Sequence, residues 1–328
     1  MLVLIRKMVP AGLSPLRPVV LLMLGVVIAT LGFSREGEAA KDGEKPNSEF
    51  SGVVSFIALT DEFWQVWILD LATKEKKQIT RSPVDKRSPC WSRDGSEITY
   101  RTSNGTIERI AIASGITTAI KPVEGFMVDP RLSPTGKYLT FARFESDPPD
   151  CSNIYVYTFA DKALVRLTDD TSVKYAPAWS PDESKIAFVG GRGRNKNFLK
   201  LVDVNGKNLK TLQSSPSDDM FPSWSPDGQW IVFSSSRTGD YEIWRVRPNG
   251  EQLEILTQSP GLDSSPSYSP DGLRIIFTSN REGVLRVWVM NSDGTNALPL
   301  TPSNMSARDP AWWQPPANPV APVKGQDQ

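Results

Sequence analysis

Six short segments of this chain share one pattern, and their spacing limits the possible folds more than any other feature. They read PCWSRDG from Pro89, PRLSPTG from Pro130, PAWSPDE from Pro177, PSWSPDG from Pro222, PSYSPDG from Pro266 and PAWWQPP from Pro310. Successive copies lie 41, 47, 45, 44 and 44 residues apart. A strand-rich repeat of that length predicts propeller blades. Within a copy, the aromatic is a bulky strand residue that packs between sheets. Ser-Pro-Asp-Gly then suits a tight turn: Pro presets φ, Asp bonds its own backbone and Gly tolerates the exit. A short alternating strand follows, as in Lys185-Ile186-Ala187-Phe188, Trp230-Ile231-Val232-Phe233 and Arg274-Ile275-Ile276-Phe277. A third strand (Asn153 to Tyr157, Tyr241 to Val246, Leu285 to Met290) runs toward a hairpin such as Asn205-Gly206, Asn249-Gly250 or Asp293-Gly294. Those pairs accept the positive φ of two-residue loops. A short fourth strand ends near Leu167-Thr168, Leu256-Thr257 and Leu300-Thr301.

Each repeat is therefore expected to be a four-stranded antiparallel blade. The last copy, Asp309 to Trp313, supplies one strand before a Pro-rich segment, whereas residues 51–80 supply three without a first. These three are expected over Gly52 to Ala58, Trp64 to Asp70 and Lys76 to Thr80. Joining one C-terminal strand to three N-terminal ones makes a sixth blade and leaves no open sheet edge. The fold class expected is all-β: a closed six-bladed β-propeller over residues 50–315. Residues 41–49 read as a flexible linker and 316–328 as a Pro-rich disordered tail.

Lys plus Arg and Asp plus Glu both total 37. Nucleic-acid binding, which leaves a basic footprint, is argued against, as is electrostatic docking on anionic membranes. The chain has no His, which excludes Ser-His-Asp and Cys-His catalysis and any metal site that needs imidazole. It also has no Gly-x-Ser-x-Gly elbow, Walker loop or dinucleotide fingerprint. The chain is read as non-enzymatic, without a cofactor, and as a monomer.

Arg6, Lys7 and Arg17 precede an apolar run, Pro18 to Phe33, and the small-residue segment Gly37-Glu38-Ala39-Ala40. This is the form of a secretory signal, so residues 1–40 are read as a signal peptide or, if uncleaved, a membrane anchor. A periplasmic or extracellular location follows. Cys90 and Cys151 are the two cysteines, and an exported chain permits their pairing.

Pro-x-Trp-Ser-Pro-Asp-Gly, then Ile-x-Phe, Ser-x-Arg and Asn-x-Asp-Gly before Leu-Thr, resembles the TolB family of WD-repeat-like propellers, best over residues 176–301. The earlier copies depart from it: Leu132 replaces the aromatic and Thr135 the Asp. The resemblance implies a protein partner in the cell envelope, such as a Pal-like peptidoglycan-associated lipoprotein. TolB proteins resemble two-domain molecules with an α/β domain first. Here residues 41–49 alone separate leader and first strand, so a stand-alone propeller is expected.

The turns and hairpins fall on one face of such a ring. The inter-blade crossings, with less regular sequence, fall on the other, where a site is expected. The partner-binding candidates are Arg87, Asp129, Tyr175, Asp218, Asp219, Met220, Phe221, Asp263, Arg308 and Asp309, a mixture of apolar anchors and charges suited to protein or peptide recognition. Asp218-Asp219 is also a candidate Ca²⁺ pair, although such a site wants six to eight oxygens. Asp129, Asp218, Asp219 and Asp309 carry the alternative of a carbohydrate-binding or two-carboxylate carbohydrate-active propeller, since carboxylates from separate blades converge without a local motif. Arg192, Arg237 and Arg281 resemble an anion-binding trio, but their recurrence at one blade position points to loop anchoring. Asp182, Asp227 and Asp271 are read as turn residues.

Overall fold

The structure, a computed structural model, describes residues 50–145, 151–191, 197–213 and 217–315. The leader, the linker, the Pro-rich tail and Arg192 lie outside the described residues. The described chain forms six four-stranded antiparallel sheets. Blade 1 holds β4 (Lys86–Trp91), β5 (Glu97–Thr102), β6 (Ile107–Ala111) and β7 (Thr117–Ile120). Blade 2 holds β8 (Met127–Leu132), β9 (Tyr138–Phe144), β10 (Ser152–Thr158) and β11 (Leu164–Arg166). Blade 3 runs through β12 (Val173–Trp179), β13 (Lys185–Gly191), β14 (Asn197–Asp203) and β15 (Lys210–Thr211). Blade 4 runs through β16 (Asp219–Trp224), β17 (Ile231–Ser235), β18 (Glu242–Val246) and β19 (Glu254–Ile255). Blade 5 holds β20 (Asp263–Tyr268), β21 (Arg274–Ser279), β22 (Arg286–Asn291) and β23 (Leu298–Pro299). Blade 6 is composite, with order β24 (Ala307–Trp313), β1 (Val53–Thr60), β2 (Phe63–Asp70) and β3 (Lys76–Gln78). Each innermost strand touches the next around the circle, β24 returning to β4. The ring is closed as the repeat count requires.

The core consists of six apolar layers, one between each pair of neighbouring blades. Strand alternation makes them, because successive side chains point to opposite faces of a sheet. In β17, Ile231 and Phe233 pack on Leu199 and Leu201 of blade 3, while Val232 joins Ile275 and Phe277 of blade 5. The Ile-x-Phe motif thus faces the preceding blade, and the residue between faces the following one.

Each remaining motif residue has a bonding role. In the turn, the Ser180 hydroxyl donates to Asp182 Oδ1 (2.6 Å) and accepts the Lys185 N–H (2.9 Å), while Asp182 accepts the Ser184 N–H (3.0 Å). The same arrangement recurs at Ser92–Asp94, Ser225–Asp227 and Ser269–Asp271. The tryptophan staples blades together as well as filling space. Trp179 Nε1 donates to the Arg131 carbonyl of blade 2 (3.2 Å), and Trp224 Nε1 to the Ala178 carbonyl of blade 3 (3.2 Å). Threonine after the fourth strand clasps the third. Thr257 Oγ1 accepts the Ile243 N–H (2.9 Å) and donates to Glu242 Oε2 (2.6 Å). Thr80 does the same with Val66 and Gln65, and Thr168 with Ile154 and Asn153. The fourth strands stop before Leu-Thr: β19 ends at Ile255 and β11 at Arg166, because this clasp replaces ladder pairing there.

The closing seam is stapled by indoles in the same way. Trp91 Nε1 donates to the Ala311 carbonyl and Trp313 Nε1 to the Arg93 carbonyl, each at 3.1 Å, and the two indoles lie 6.0 Å apart. Gly95 beneath them has φ +72°, and a Cβ there would stand 2.2 Å from the Trp313 ring.

Candidate functional site

The expected crossing residues are not in loops. Arg87 belongs to β4, Asp129 to β8, Tyr175 to β12, Asp219, Met220 and Phe221 to β16, Asp263 to β20, and Arg308 and Asp309 to β24. Only Asp218 stands outside, one residue before β16. The reason is a β-bulge. In every innermost strand the pairing register shifts at the residue preceding proline. Those residues, Ser88, Asp129, Ala176, Phe221, Ser265 and Asp309, have φ between 50° and 54°. The extra residue bends the strand without ending it, so the ladder continues upstream of the proline.

Six residues in a left-handed conformation therefore circle the central axis. Some bond across blades. Asp129 accepts the Ser88 hydroxyl of blade 1 (2.8 Å) and the Ala176 N–H of blade 3 (3.0 Å). The Asp309 N–H donates to Thr278 Oγ1 (3.1 Å), and Ser265 donates to Asp309 Oδ1 (3.4 Å).

One position upstream stand Arg87, Val128, Tyr175, Met220, Ser264 and Arg308, at the crossing-face end. Met220 and Phe221 are half-buried and pack beside Tyr175. Two positions upstream the strands hold buried ions. Asp219 pairs with Arg237 and Asp263 with Arg281, each at 2.8 Å, and both carboxylates are wholly buried. Ser235 and Ser279 accept the Nε–H of these arginines (2.8 and 3.0 Å), and Trp244 and Trp288 cover them. Arg237 and Arg281 thus anchor their blades. Lys174 occupies the same position in blade 3, fully buried and paired with Asp170 at 2.7 Å.

Asp218 accepts the Asn197 side-chain amide at 2.9 Å. Asp129, Asp218, Asp219 and Asp309 are therefore each engaged by groups of the chain itself. Among the described residues, no three His, Cys, Asp or Glu side chains cluster to hold a metal.

The mouth divides by charge. On the side of blades 3 and 4, burial and then the Asp218 and Asp219 carboxylates push the Tyr241 phenol up to about 12, and burial with Asp218 pushes Tyr175 up as well. On the side of blades 6 and 1 stand Arg87, Arg101 and Arg308. Burial, then the repulsion of Arg87, draws Arg308 down to about 9. Burial draws Arg101 down to about 10 against the attraction of Asp129. Arg101 lies inside β5 and has no motif around it, so sequence reading missed it. Its one signal is an arginine where Ser234 and Thr278 stand in blades 4 and 5.

A closed ring of these blades defines a propeller of the TolB type, and comparison with known proteins agrees. The family model described as the TolB beta propeller domain matches residues 116–255 and 194–327, more than half of the chain. This chain belongs to that family. An uncharacterized protein of Agrobacterium fabrum, Atu1656, is 28% identical over 185 residues, which cover 55% of this chain and 61% of the relative. A Tol-Pal system protein TolB of Francisella tularensis is 30% identical over 169 residues, 50% of this chain and 38% of the relative. The chain thus spans less than two thirds of the length of either. The crystal structure of TolB from Acinetobacter baumannii superposes with a TM-score of 0.69 at 23% identity, covering 80% of this chain and 67% of that one; that likeness is one of fold.

Proposed function

We propose that this chain is an exported, non-catalytic propeller that acts as an interaction scaffold in the cell envelope and presents its crossing face to a protein partner. The Francisella relative is named as part of the Tol-Pal system, and a peptidoglycan-associated lipoprotein is the partner that likeness favours. The observation that carries the reading is the mouth itself. Half-buried Met220 and Phe221 lie beside an acidic side, with a cationic side across the axis. Apolar anchors with charges of both signs around them suit a polypeptide surface. The carbohydrate alternative needs uncommitted carboxylates, and the four it named are each engaged within the chain.

The test is calorimetric titration of the leader-free chain with the soluble domain of a peptidoglycan-associated lipoprotein from the same cell. Micromolar or tighter binding, weakened at least tenfold by Met220→Glu, supports the reading. If that lipoprotein fails to bind, and an envelope extract yields no protein retained by wild type and lost by Met220→Glu, the scaffold role is wrong.

A further inference from the structure

Three arginines stand between blades 6 and 1, and two of them, Arg101 and Arg308, hold buried donors that the chain does not use. Arg308 is 4% exposed, yet its Nε and Nη2 are buried with no acceptor. Arg101 Nε is buried and unmatched too. Arg87 stands directly opposite Arg101 in the β4–β5 register, and Arg308 enters from the neighbouring β24. No ion pair engages any of the three among the described residues.

The acids whose fields reach them make no ion pair with them and accept other donors. Asp85 accepts the Trp64 N–H at 2.9 Å, Asp129 accepts Ser88 and Ala176, and Asp309 accepts Ser265. Like charges opposed across a ladder disfavour the sheet, and buried guanidinium donors without acceptors are costly. An oxyanion between the three removes both penalties. The site is also preorganised. The Arg308 guanidinium lies 3.9 Å over the Trp64 ring, which fixes its plane and leaves its edge N–H groups for a planar, bidentate acceptor. A carboxylate is such an acceptor.

We propose that Arg87, Arg101 and Arg308 form a carboxylate-binding site at the channel mouth, receiving an acidic side chain or C-terminal carboxylate of a polypeptide partner. The choice of a polypeptide rests on the scaffold reading above; the carboxylate chemistry does not.

The experiment follows the arginine side-chain N–H resonances of the leader-free chain, labelled with nitrogen-15 in arginine and assigned with Arg101→Gln and Arg308→Gln. The probes are acetyl-triglutamate, acetyl-triglutamine, trigalacturonate and inorganic phosphate, at matched ionic strength. Saturable shifts of the Arg101 and Arg308 Nε–H signals with triglutamate but not triglutamine are expected. Arg87→Gln should weaken that binding about tenfold, the effect of losing one charge-assisted bond. This arm keeps the test valid if Arg308→Gln does not fold. No shift with any carboxylate overturns the site, and so does phosphate binding more tightly than triglutamate. Trigalacturonate shifting the signals while triglutamate does not overturns the polypeptide source alone. Loss of triglutamate binding with lipoprotein binding retained separates failure of this site from failure of the scaffold reading.

Discussion

Trp179 and Trp224 show how one side chain serves two purposes. The ring fills the layer between blades, and its N–H is satisfied by a carbonyl of the blade before. Trp224→Phe keeps most of the volume and removes the donor. It should cost about 1 kcal/mol, the usual net worth of one hydrogen bond, read as a lower urea midpoint with an unchanged slope. Ala176, at φ 50°, makes a second case. A β-branched residue is a genuine outlier in that conformation. Ala176→Val should lose about 2 kcal/mol or more, while Ala176→Gly, which adopts positive φ freely, should lose much less. Equal losses in denaturant titrations would show that backbone conformation is not what selects the residue.

Among the elements, the Ser-Pro-Asp-Gly turns give the fold a pH dependence of known sign. The Asp94, Asp182 and Asp227 carboxyls are held below the ordinary range, first by the neighbouring serine hydroxyl and also by backbone N–H groups. A carboxyl with a lower pKa folded than unfolded contributes stability above its unfolded pKa, and that contribution is lost as pH falls through the folded value. The urea midpoint should therefore fall as pH is lowered below about 4, less steeply in Asp227→Asn. An equal slope in both proteins would remove this turn as a source. These same turns made the fold legible in the sequence, because turn chemistry is local and repeats. The site was less legible because its chemistry is not local. Asp219 and Arg237, and equally Asp263 and Arg281, are 18 residues apart. Read singly they suggest an acidic pair and an anion trio, whereas the shared offset in two blades marks them as each other's partners. The bulges hid a second fact: a proline after an irregular stretch reads as a strand start, but the strand begins three or four residues earlier.

The ring as a unit depends on β24. Deleting residues 307–315 removes the partner of β1 and both seam indole bonds, leaving an arc with raw edges. In limited trypsin digestion the connections between blades should resist cleavage in the intact ring and be cut in the deleted chain. Cleavage between blades in the intact protein would argue against closure in solution.

The seam also dictates an order of events. Ser55 donates to the carbonyl of Ala311, 256 residues further on, so the first strand made is the last to be completed. During synthesis the nascent chain must wait as an incomplete circle, with the edge of β1 exposed, until β24 emerges. Random closure of so long a loop costs about 5 kcal/mol of entropy, and blades 1 to 5 lower this by carrying the two ends together as they form. In the interval, the waiting edge accepts a β24 from any chain nearby. Refolding at high protein concentration is therefore expected to yield dimers that have exchanged residues 307–313, and dilute refolding monomers.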